Sequence, residues 1–294
     1  MAARPADHKK GLSIALLGGM AISLDIPMVR LTDGDMWSVQ FLRSFNVVIV
    51  TLAVWLAARL VFNKRIELVP GRLGLPVIAI YGVSTLLFFY AVYATTTANL
   101  VFILAFNPMF GALFGWLILK EKPLPPTFLA MGVMTTGVFI IVQEGLSGGH
   151  FLGDLSALCA AMSIALAVTL SRLSGRDMGF AALISAIVPA LVAGSLVWHQ
   201  GSLNMAVPGW TFLNGTLLVP VAFYCLALAP TYISGAQVGM FYLLETIFAP
   251  VWIWMIFKEV PTSQTLIGGG ILLAALLAHS VWELNEERRT RAPG

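Results

Sequence analysis

The stretch SGAQVGMFYLLETIFAPVWIWMIFKEVP, residues 234–261, is apolar along its length except for Glu245 near the middle. A second stretch, TTANLVFILAFNPMFGALFGWLILKEKP, residues 96–123, has the same Lys-Glu-x-Pro ending. An offset of 138 positions superimposes the two endings and places Asn107 on Glu245 and Asn99 on Gln237. Polar residues that recur within two apolar stretches indicate a duplicated membrane unit, with its functional site where the two units meet.

Composition requires a lipid environment for this chain. Its 294 residues are 59% hydrophobic and 11% charged, with a mean hydropathy of +0.89, whereas a soluble chain is about 25% charged. The net charge of +3 does not indicate a nucleic-acid partner, because the basic residues gather at the ends of apolar runs. Cys159 and Cys225 lie inside apolar runs, which favours packing thiols over a disulfide or a metal site.

Hydropathy predicts ten spans of about 20 residues, the length of a helix that crosses a bilayer. Helices are expected because every backbone polar group must be satisfied internally in lipid. The first run is as long as the others and precedes no small-residue cleavage site, so we expect a retained helix. The predicted spans are 11–30, 37–60, 73–94, 97–119, 125–143, 152–172, 179–199, 209–229, 234–257 and 262–282.

Lysine and arginine set the expected orientation. Fourteen of the 17 lie on the side of the N-terminus, Lys258 lies on the other side, and Arg30 and Arg43 lie at or within spans. Basic loops stay in the cytoplasm, so both termini are predicted to be cytoplasmic. Five crossings are an odd number, so a five-span unit that is duplicated must be inverted in its second copy.

The fold class predicted is therefore an all-α integral membrane protein, with ten transmembrane helices as two inverted five-helix repeats. Residues 1–147 and 148–294 would form the two repeats of one transmembrane domain. A weaker echo supports this division. At an offset of 142, the first and sixth spans align Gly11 with Gly153 and Arg30 with Arg172.

A family resemblance rests on the residues just beyond each repeated stretch. Glu121 and Glu259 are each succeeded by a proline turn and a glycine-rich span, at residues 131–137 and 268–270. In these features the whole chain resembles the EamA-type exporters of the drug/metabolite transporter superfamily, with YddG-like amino-acid exporters as the nearest subgroup. One difference is that Pro108 aligns with Thr246, and the second repeat has Pro250 instead. The fourth and ninth spans therefore need not bend alike.

The resemblance implies a multi-pass protein of the bacterial inner membrane. Such a protein exports small metabolites, chiefly neutral or aromatic amino acids in the subgroup named, through a central cavity by alternating access. The partners implied are a small-molecule substrate and the lipid bilayer, with protons as a candidate coupling ion. No cofactor, metal or nucleic acid is implied.

Charged residues within the spans are costly in lipid and are functional candidates. Asp25 and Arg43 lie at similar depths in the first two spans, so they can form an ion pair. That pair could fix two helices or act as a gate or substrate contact, and both interpretations stay open. Asn46 shares the face of Arg43. We expect Arg30 to reach the headgroups instead.

The candidate substrate site combines polar residues with aromatic walls, as small-molecule sites do. Asn99 and Asn107 are two helical turns apart, and Gln237 and Glu245 repeat this spacing in the ninth span. Glu245 could hold an ammonium group, carry a coupling proton, or serve only as a hydrogen-bonded structural group. The candidate substrate-binding residues are Asn46, Tyr90, Asn99, Phe102, Phe106, Asn107, Gln237, Phe241, Tyr242 and Glu245.

An enzyme is the alternative class. Residues 145–149, GLSGG, fit the G-x-S-x-G pattern around Ser147 of a serine hydrolase. That motif needs a strand before the serine and a helix after it, whereas here a membrane span precedes the serine. The sequence has no H-E-x-x-H motif and no P-loop, so zinc proteolysis and ATP-driven pumping lack their motifs. A channel would need a filter motif or rings of charge, which are also missing.

Overall fold

The computed structural model describes residues 5–61, 67–176, 178–229, 232–233 and 235–291. Ten helical spans in this part of the chain are long and apolar enough to cross a membrane, and they confirm the ten spans expected from hydropathy. The spans are Lys9–Leu31, Met36–Leu60, Gly74–Ala94, Thr97–Leu119, Pro125–Leu146, Phe151–Ser174, Gly179–Gln200, Pro208–Leu226, Met240–Phe257 and Ser263–Glu286.

Several spans consist of more than one helix. The first contains Pro5–Ile22 and Asp25–Leu31, the fourth Thr97–Leu104 and Asn107–Leu119, and the seventh Gly179–Ile184 and Ile187–Gln200. The eighth runs from Pro208–Leu213 through a π-helical turn, Asn214–Leu218, into Val219–Leu228. The remaining helices are Met36–Leu60, Gly74–Ala94, Pro125–Gly148, Phe151–Ser174, Gly235–Phe257 and Ser263–Arg291.

Prolines explain where the helices are interrupted. Each break in the first, fourth and seventh spans falls within four residues before a proline, namely Pro27, Pro108 and Pro189. Proline lacks the N–H that would bond to the carbonyl four residues earlier, and its ring clashes with that carbonyl. Pro250 lies inside an unbroken ninth span, so the fourth and ninth spans do bend differently.

The packing of the spans has the symmetry of a duplicated unit. The first span packs on the eighth, and the third packs on the sixth. The second span packs on the seventh, the fourth on the ninth, and the fifth on the tenth. If each span of the first repeat is exchanged with its counterpart five spans later, the same set of contacts results. The contact of the first and eighth spans, for example, becomes that of the sixth and third. The protein is therefore an all-α membrane protein with two inverted five-helix repeats.

The two faces of the bundle differ in the loops that they carry. We call the face at which the first span begins and the tenth ends the terminal face. The opposite face carries the loop after the first span, where Gly34 forms an antiparallel bridge with Met205 of the loop after the seventh span. A buried core that includes Phe89, Leu100 and Ile103 fills the bundle near the opposite face.

Large apolar side chains also cover the outside of the bundle. Phe139 is 65% exposed and Leu191 is 68% exposed, although both lie in the middle of helical spans. In water such a surface would be an aggregation hazard, whereas in a bilayer it contacts acyl chains at no cost.

Gly153 sets how closely the sixth span approaches the end of the third. A Cβ atom at Gly153 would lie 2.5 Å from the carbonyl of Ala94 and 2.7 Å from the amide of Thr95. We expect Gly153→Ala to destabilise the fold by about 1–3 kcal/mol, because backbone must move. Thermal unfolding in detergent would measure the loss. Gly132→Ala is the matched control, since nothing lies within 4 Å of its added Cβ. A Gly153→Ala protein as stable as the control would contradict this packing.

Candidate substrate site

A buried ion pair joins the first two spans, as the sequence predicted. Arg43 donates from Nη2 to Asp25 Oδ2 at 2.8 Å, and the two residues are 7% and 6% exposed. Asn214 of the eighth span completes the cluster, because its Oδ1 accepts from Arg43 Nε at 2.9 Å and its Nδ2 donates to Asp25 Oδ1 at 2.8 Å. A charge pair in a low-dielectric interior is tolerated when such further hydrogen bonds satisfy it.

Local structure places the members of this cluster. Asp25 opens the short helix that comes after the break in the first span, so the interruption brings a carboxylate into the bundle. Gly215 lets the eighth span touch the second, since an added Cβ would lie 2.6 Å from the carbonyl oxygen of Arg43. The guanidinium of Arg43 also lies 5.1 Å from the ring centre of Phe89, a cation–π distance.

Sequence reasoning missed Asn214. It is fully buried and contacts both charged residues. The available signal was a lone amide within an apolar span, next to a glycine, but that signal does not reveal which other span the amide faces.

Glu245 belongs to the ninth span, which packs on the first span near this cluster: Leu244 lies 2.9 Å from a Cβ built on Gly19, and Trp252 donates to Ser23 at 3.1 Å. Its carboxylate lies within electrostatic range of Asp25, Arg43 and the hydroxyl of Tyr242, which is itself within range of Tyr81. Glu245 is half-buried, and its carboxylate has no hydrogen-bond partner among the described residues. Tyr242 is 42% exposed. Tyr81 was absent from the residues that the sequence predicted.

Asn46 adds an uncommitted donor near the same place. It is 5% exposed, its Nδ2 has no hydrogen-bond partner among the described residues, and its Cβ lies 3.0 Å from a Cβ built on Gly215. A buried amide without a partner costs free energy, which a ligand can recover. Asp25, Arg43, Asn46, Tyr242 and Glu245 are thus the predicted residues that the fold brings to one region.

The two asparagines of the fourth span are engaged elsewhere. Asn107 donates to the carbonyl of Ala161 in the sixth span at 2.8 Å. Asn99 accepts from Thr265 Oγ1 at 2.6 Å and donates to the carboxylate of Asp154 at 3.3 Å. The helix break between the two asparagines ends the single face that their spacing predicted. Their part in substrate binding stays a prediction.

Asp154 is a buried carboxylate that was not among the residues predicted from the sequence. It is fully buried at the start of the sixth span, near the opposite face, and accepts from Thr95 Oγ1 at 2.5 Å. Together with the bonds of Asn99 and Thr265, this links the fourth, sixth and tenth spans.

The predicted aromatic residues divide between packing and exposed positions. Phe102 is 7% exposed and packs against Gly269 of the tenth span, and Phe106 stacks edge-on with Phe110 at 5.0 Å between ring centres. Phe241 packs against the first span, and Tyr90 is 40% exposed. Among the predicted polar residues, Gln237 is half-buried near the terminal face.

Arg30 forms an ion pair with Glu259 at the end of the ninth span, and its contact with the headgroups stays a prediction. A second pair, Arg172 with Glu121, lies at the terminal face. The sequence did not indicate the partner of Arg30, because Glu259 is 229 positions away.

The backbone around Ser147 does not have the arrangement of a hydrolase. The fifth helix, Pro125–Gly148, runs through this position, and Gly149 ends it in the left-handed region at φ 78°. A nucleophile elbow requires a strand before the serine.

Ten apolar spans in inverted repeats, with charged groups buried where the repeats meet, define the class of secondary membrane transporters. Comparison with known proteins gives the family. The chain belongs to the EamA-like transporter family, whose profile matches residues 9–143 and 151–281 separately.

Two full-length relatives and one solved structure are similar to the chain. The relatives are the pseudopaline exporter CntI proteins of Pseudomonas aeruginosa strains PAO1 and UCBPP-PA14, each 23% identical over 279 residues. The match covers 92% of this chain and 96% of each relative. A crystal structure of similar size superposes with a TM-score of 0.63 at 14% identity, covering 92% of this chain and 96% of the other. The protein is therefore a multi-pass membrane exporter of a small molecule.

The two interpretations of the Asp25–Arg43 pair can be separated by charge removal. Arg43→Met leaves Asp25 buried and unpaired, so we expect a loss of about 3–5 kcal/mol in the free energy of unfolding. Asp25→Leu combined with Arg43→Met removes both charges and should recover most of that stability. Thermal unfolding in detergent measures both effects, and a double variant no more stable than Arg43→Met would contradict them. Transport by the double variant then decides whether the pair only fixes helices.

Proposed function

We propose that this protein exports small zwitterionic metabolites, with neutral and aromatic amino acids as the preferred class, by alternating access. The observation that carries the proposal is the half-buried carboxylate of Glu245 in the ninth span, which packs on the first span near the Asp25–Arg43–Asn214 cluster. Opposite charges within one membrane bundle suit a ligand that carries both an ammonium and a carboxylate group.

Each end of such a ligand has a partner in this region. Glu245 has no hydrogen bond within the described part of the chain, so an ammonium group can supply its counter-charge. Arg43 donates to Asp25 and Asn214 through Nη2 and Nε, and its Nη1 remains for a carboxylate. The Nδ2 of Asn46 provides a further donor.

The apolar part of the substrate would meet aromatic surface. Tyr242 lies within electrostatic range of Glu245 and of Tyr81, and Phe89 lies under the guanidinium of Arg43. Aromatic walls with few polar groups favour neutral and aromatic side chains over sugars or polyanions. This supports the specificity that the resemblance to YddG-like exporters implied.

The proposal includes the orientation of the protein in the membrane and the ion that drives transport. Under the topology predicted from the sequence, fourteen of the 17 basic residues fall on the side of the N-terminus, so we place that face and both termini in the cytoplasm. Each inverted repeat would then rock against the other around the central site, with protons as the candidate coupling ion.

The similarity to the pseudopaline exporters gives a second candidate substrate. Those proteins are 23% identical over nearly the whole chain, which is enough to include pseudopaline in any substrate panel. An intramembrane hydrolase that uses Ser147 is the remaining alternative.

Reconstituted liposomes test the proposal. We expect the purified protein to exchange at least one neutral or aromatic amino acid several times faster than empty vesicles do, because the site offers partners for both charged groups. Counterflow of radiolabelled substrates across an amino-acid panel, with pseudopaline and a sugar added, measures this. If the protein exchanges pseudopaline and none of the amino acids, the proposed substrate class is wrong and pseudopaline takes its place. Failure of the whole panel, with peptide cleavage that Ser147→Ala abolishes, would favour the enzyme.

Glu245→Gln distinguishes the roles open to this carboxylate. It preserves size and hydrogen bonding but removes the charge. If Glu245 binds the ammonium group, amino acids with a free α-amino group should bind about tenfold or more weakly, the loss of one charge-assisted bond. If it carries a coupling proton, exchange should survive while accumulation driven by a pH gradient disappears. Wild-type affinity and accumulation in Glu245→Gln would leave a structural role only.

A further inference from the structure

The two Arg–Glu ion pairs at the ends of the bundle are related by the internal repeat. Arg30 aligns with Arg172 at the offset of 142, and Glu121 aligns with Glu259 at the offset of 138. The fold pairs Arg30 with Glu259 at the opposite face and Arg172 with Glu121 at the terminal face. In each pair the arginine comes from one repeat and the glutamate from the other.

The same backbone device presents both glutamates. Lys120 and Lys258, the residues just before them, adopt left-handed conformations with φ of 63° and 57°. This region is uncommon for a residue other than glycine, and here it ends the fourth and ninth spans at equivalent positions. The turn therefore directs each glutamate back toward an arginine of the other repeat.

The contacts of each pair extend over spans that must separate if that face opens. Glu259 Oε1 also accepts from the amide of Thr97 at 3.1 Å, and Arg30 lies 3.5 Å from the carbonyl of Thr95. This pair thus ties the first, fourth and ninth spans, and Arg30 also lines a cavity of about 310 Å³ at the opposite face, together with Gly34, Tyr93 and Phe257. Arg172 Nη2 donates to both oxygens of Glu121, at 2.9 and 2.8 Å, and ties the sixth span to the fourth.

We propose that these pairs are reciprocal latches, Arg30–Glu259 holding the opposite face closed and Arg172–Glu121 holding the terminal face closed. The inference rests on the alternating access of the proposed function. Both ion pairs are formed in this structure. Opening either face requires its cross-repeat pair to break while the other remains formed.

The two latches differ in strength. The side chains of Arg30 and Glu259 are 24% and 28% exposed, whereas those of Arg172 and Glu121 are each 55% exposed. Solvent screens the more exposed pair more strongly. Loss of the Arg30–Glu259 latch should therefore shift the conformational equilibrium further than loss of the Arg172–Glu121 latch.

The test measures the accessibility of cysteines buried behind each latch, in a variant whose Cys159 and Cys225 are replaced by alanine. Gly115→Cys reports on the terminal face, because its Cβ would lie 3.7 Å from Glu121. Ile253→Cys, at the repeat-related position, reports on the opposite face, where it packs in the same core as Val29. An impermeant thiol reagent is applied to oriented vesicles from each side.

Breaking one latch should move the two reporters in opposite directions. We expect Glu259→Gln to raise the labelling rate of Ile253→Cys about fivefold and to lower that of Gly115→Cys, as a shift between two states requires. Glu121→Gln should do the reverse by a smaller factor. Exchanging the charges, with Arg30→Glu and Glu259→Arg together, should restore the parent labelling rates. Glu67→Gln is the matched control, because its pair with Arg176 lies at the terminal face without a repeat-related counterpart.

Labelling needs no substrate, so the latches and the proposed substrate class are tested separately. Reciprocal labelling in a protein that moves no amino acid would support the latches and overturn the substrate class. Unchanged labelling in the latch variants of an active transporter would overturn the latches. An increase in the labelling rate of both reporter cysteines would also overturn them, as would an equally large change in labelling caused by Glu67→Gln.

Discussion

No water in the hydrocarbon core of a bilayer can satisfy a free amide, carbonyl or charge, and this constraint shapes the whole protein. It accounts for ten helical spans and for the apolar surface of the bundle. It also restricts interruptions of the helices to places where neighbouring spans supply partners. The breaks before Pro27, Pro108 and Pro189 all lie within the packed bundle, where other protein groups surround them. The first of these breaks places Asp25 against Arg43.

Buried polar groups in this fold occur as clusters that join several spans. Asp25, Arg43 and Asn214 connect the first, second and eighth spans, and Asp154, Asn99 and Thr265 connect the sixth, fourth and tenth. A cluster with all its bonds made holds its spans in one arrangement. Glu245 and Asn46 differ from these residues because each retains bonding capacity within the described structure. That difference, more than polarity itself, separates a candidate ligand contact from a structural one.

Internal duplication gives the transporter two repeats of the same architecture and relates the two latches that we propose. The left-handed lysines before Glu121 and Glu259 show that even a costly backbone conformation occurs in both copies. The symmetry is incomplete where function needs a difference. Glu245 stands where the first repeat has Asn107, and an unbroken ninth span stands where the fourth is interrupted. A charged group in one repeat alone gives the central site a polarity that an exact duplication would cancel.

The sequence by itself determined the ten spans and the inverted repeats, and it indicated that the fourth and ninth spans need not bend alike. Hydrophobic length and proline act within a single segment, so these features need no knowledge of neighbours. It also predicted the Asp25–Arg43 pair, because the two residues lie at the same depth in consecutive spans. Only the tertiary structure decided that Asn214 joins this pair, that Asn99 and Asn107 bond to other spans, and that Arg30 meets Glu259. Those contacts depend on how each helix is rotated against its neighbours, and helices that are apolar on every side carry little information about rotation in their own sequence.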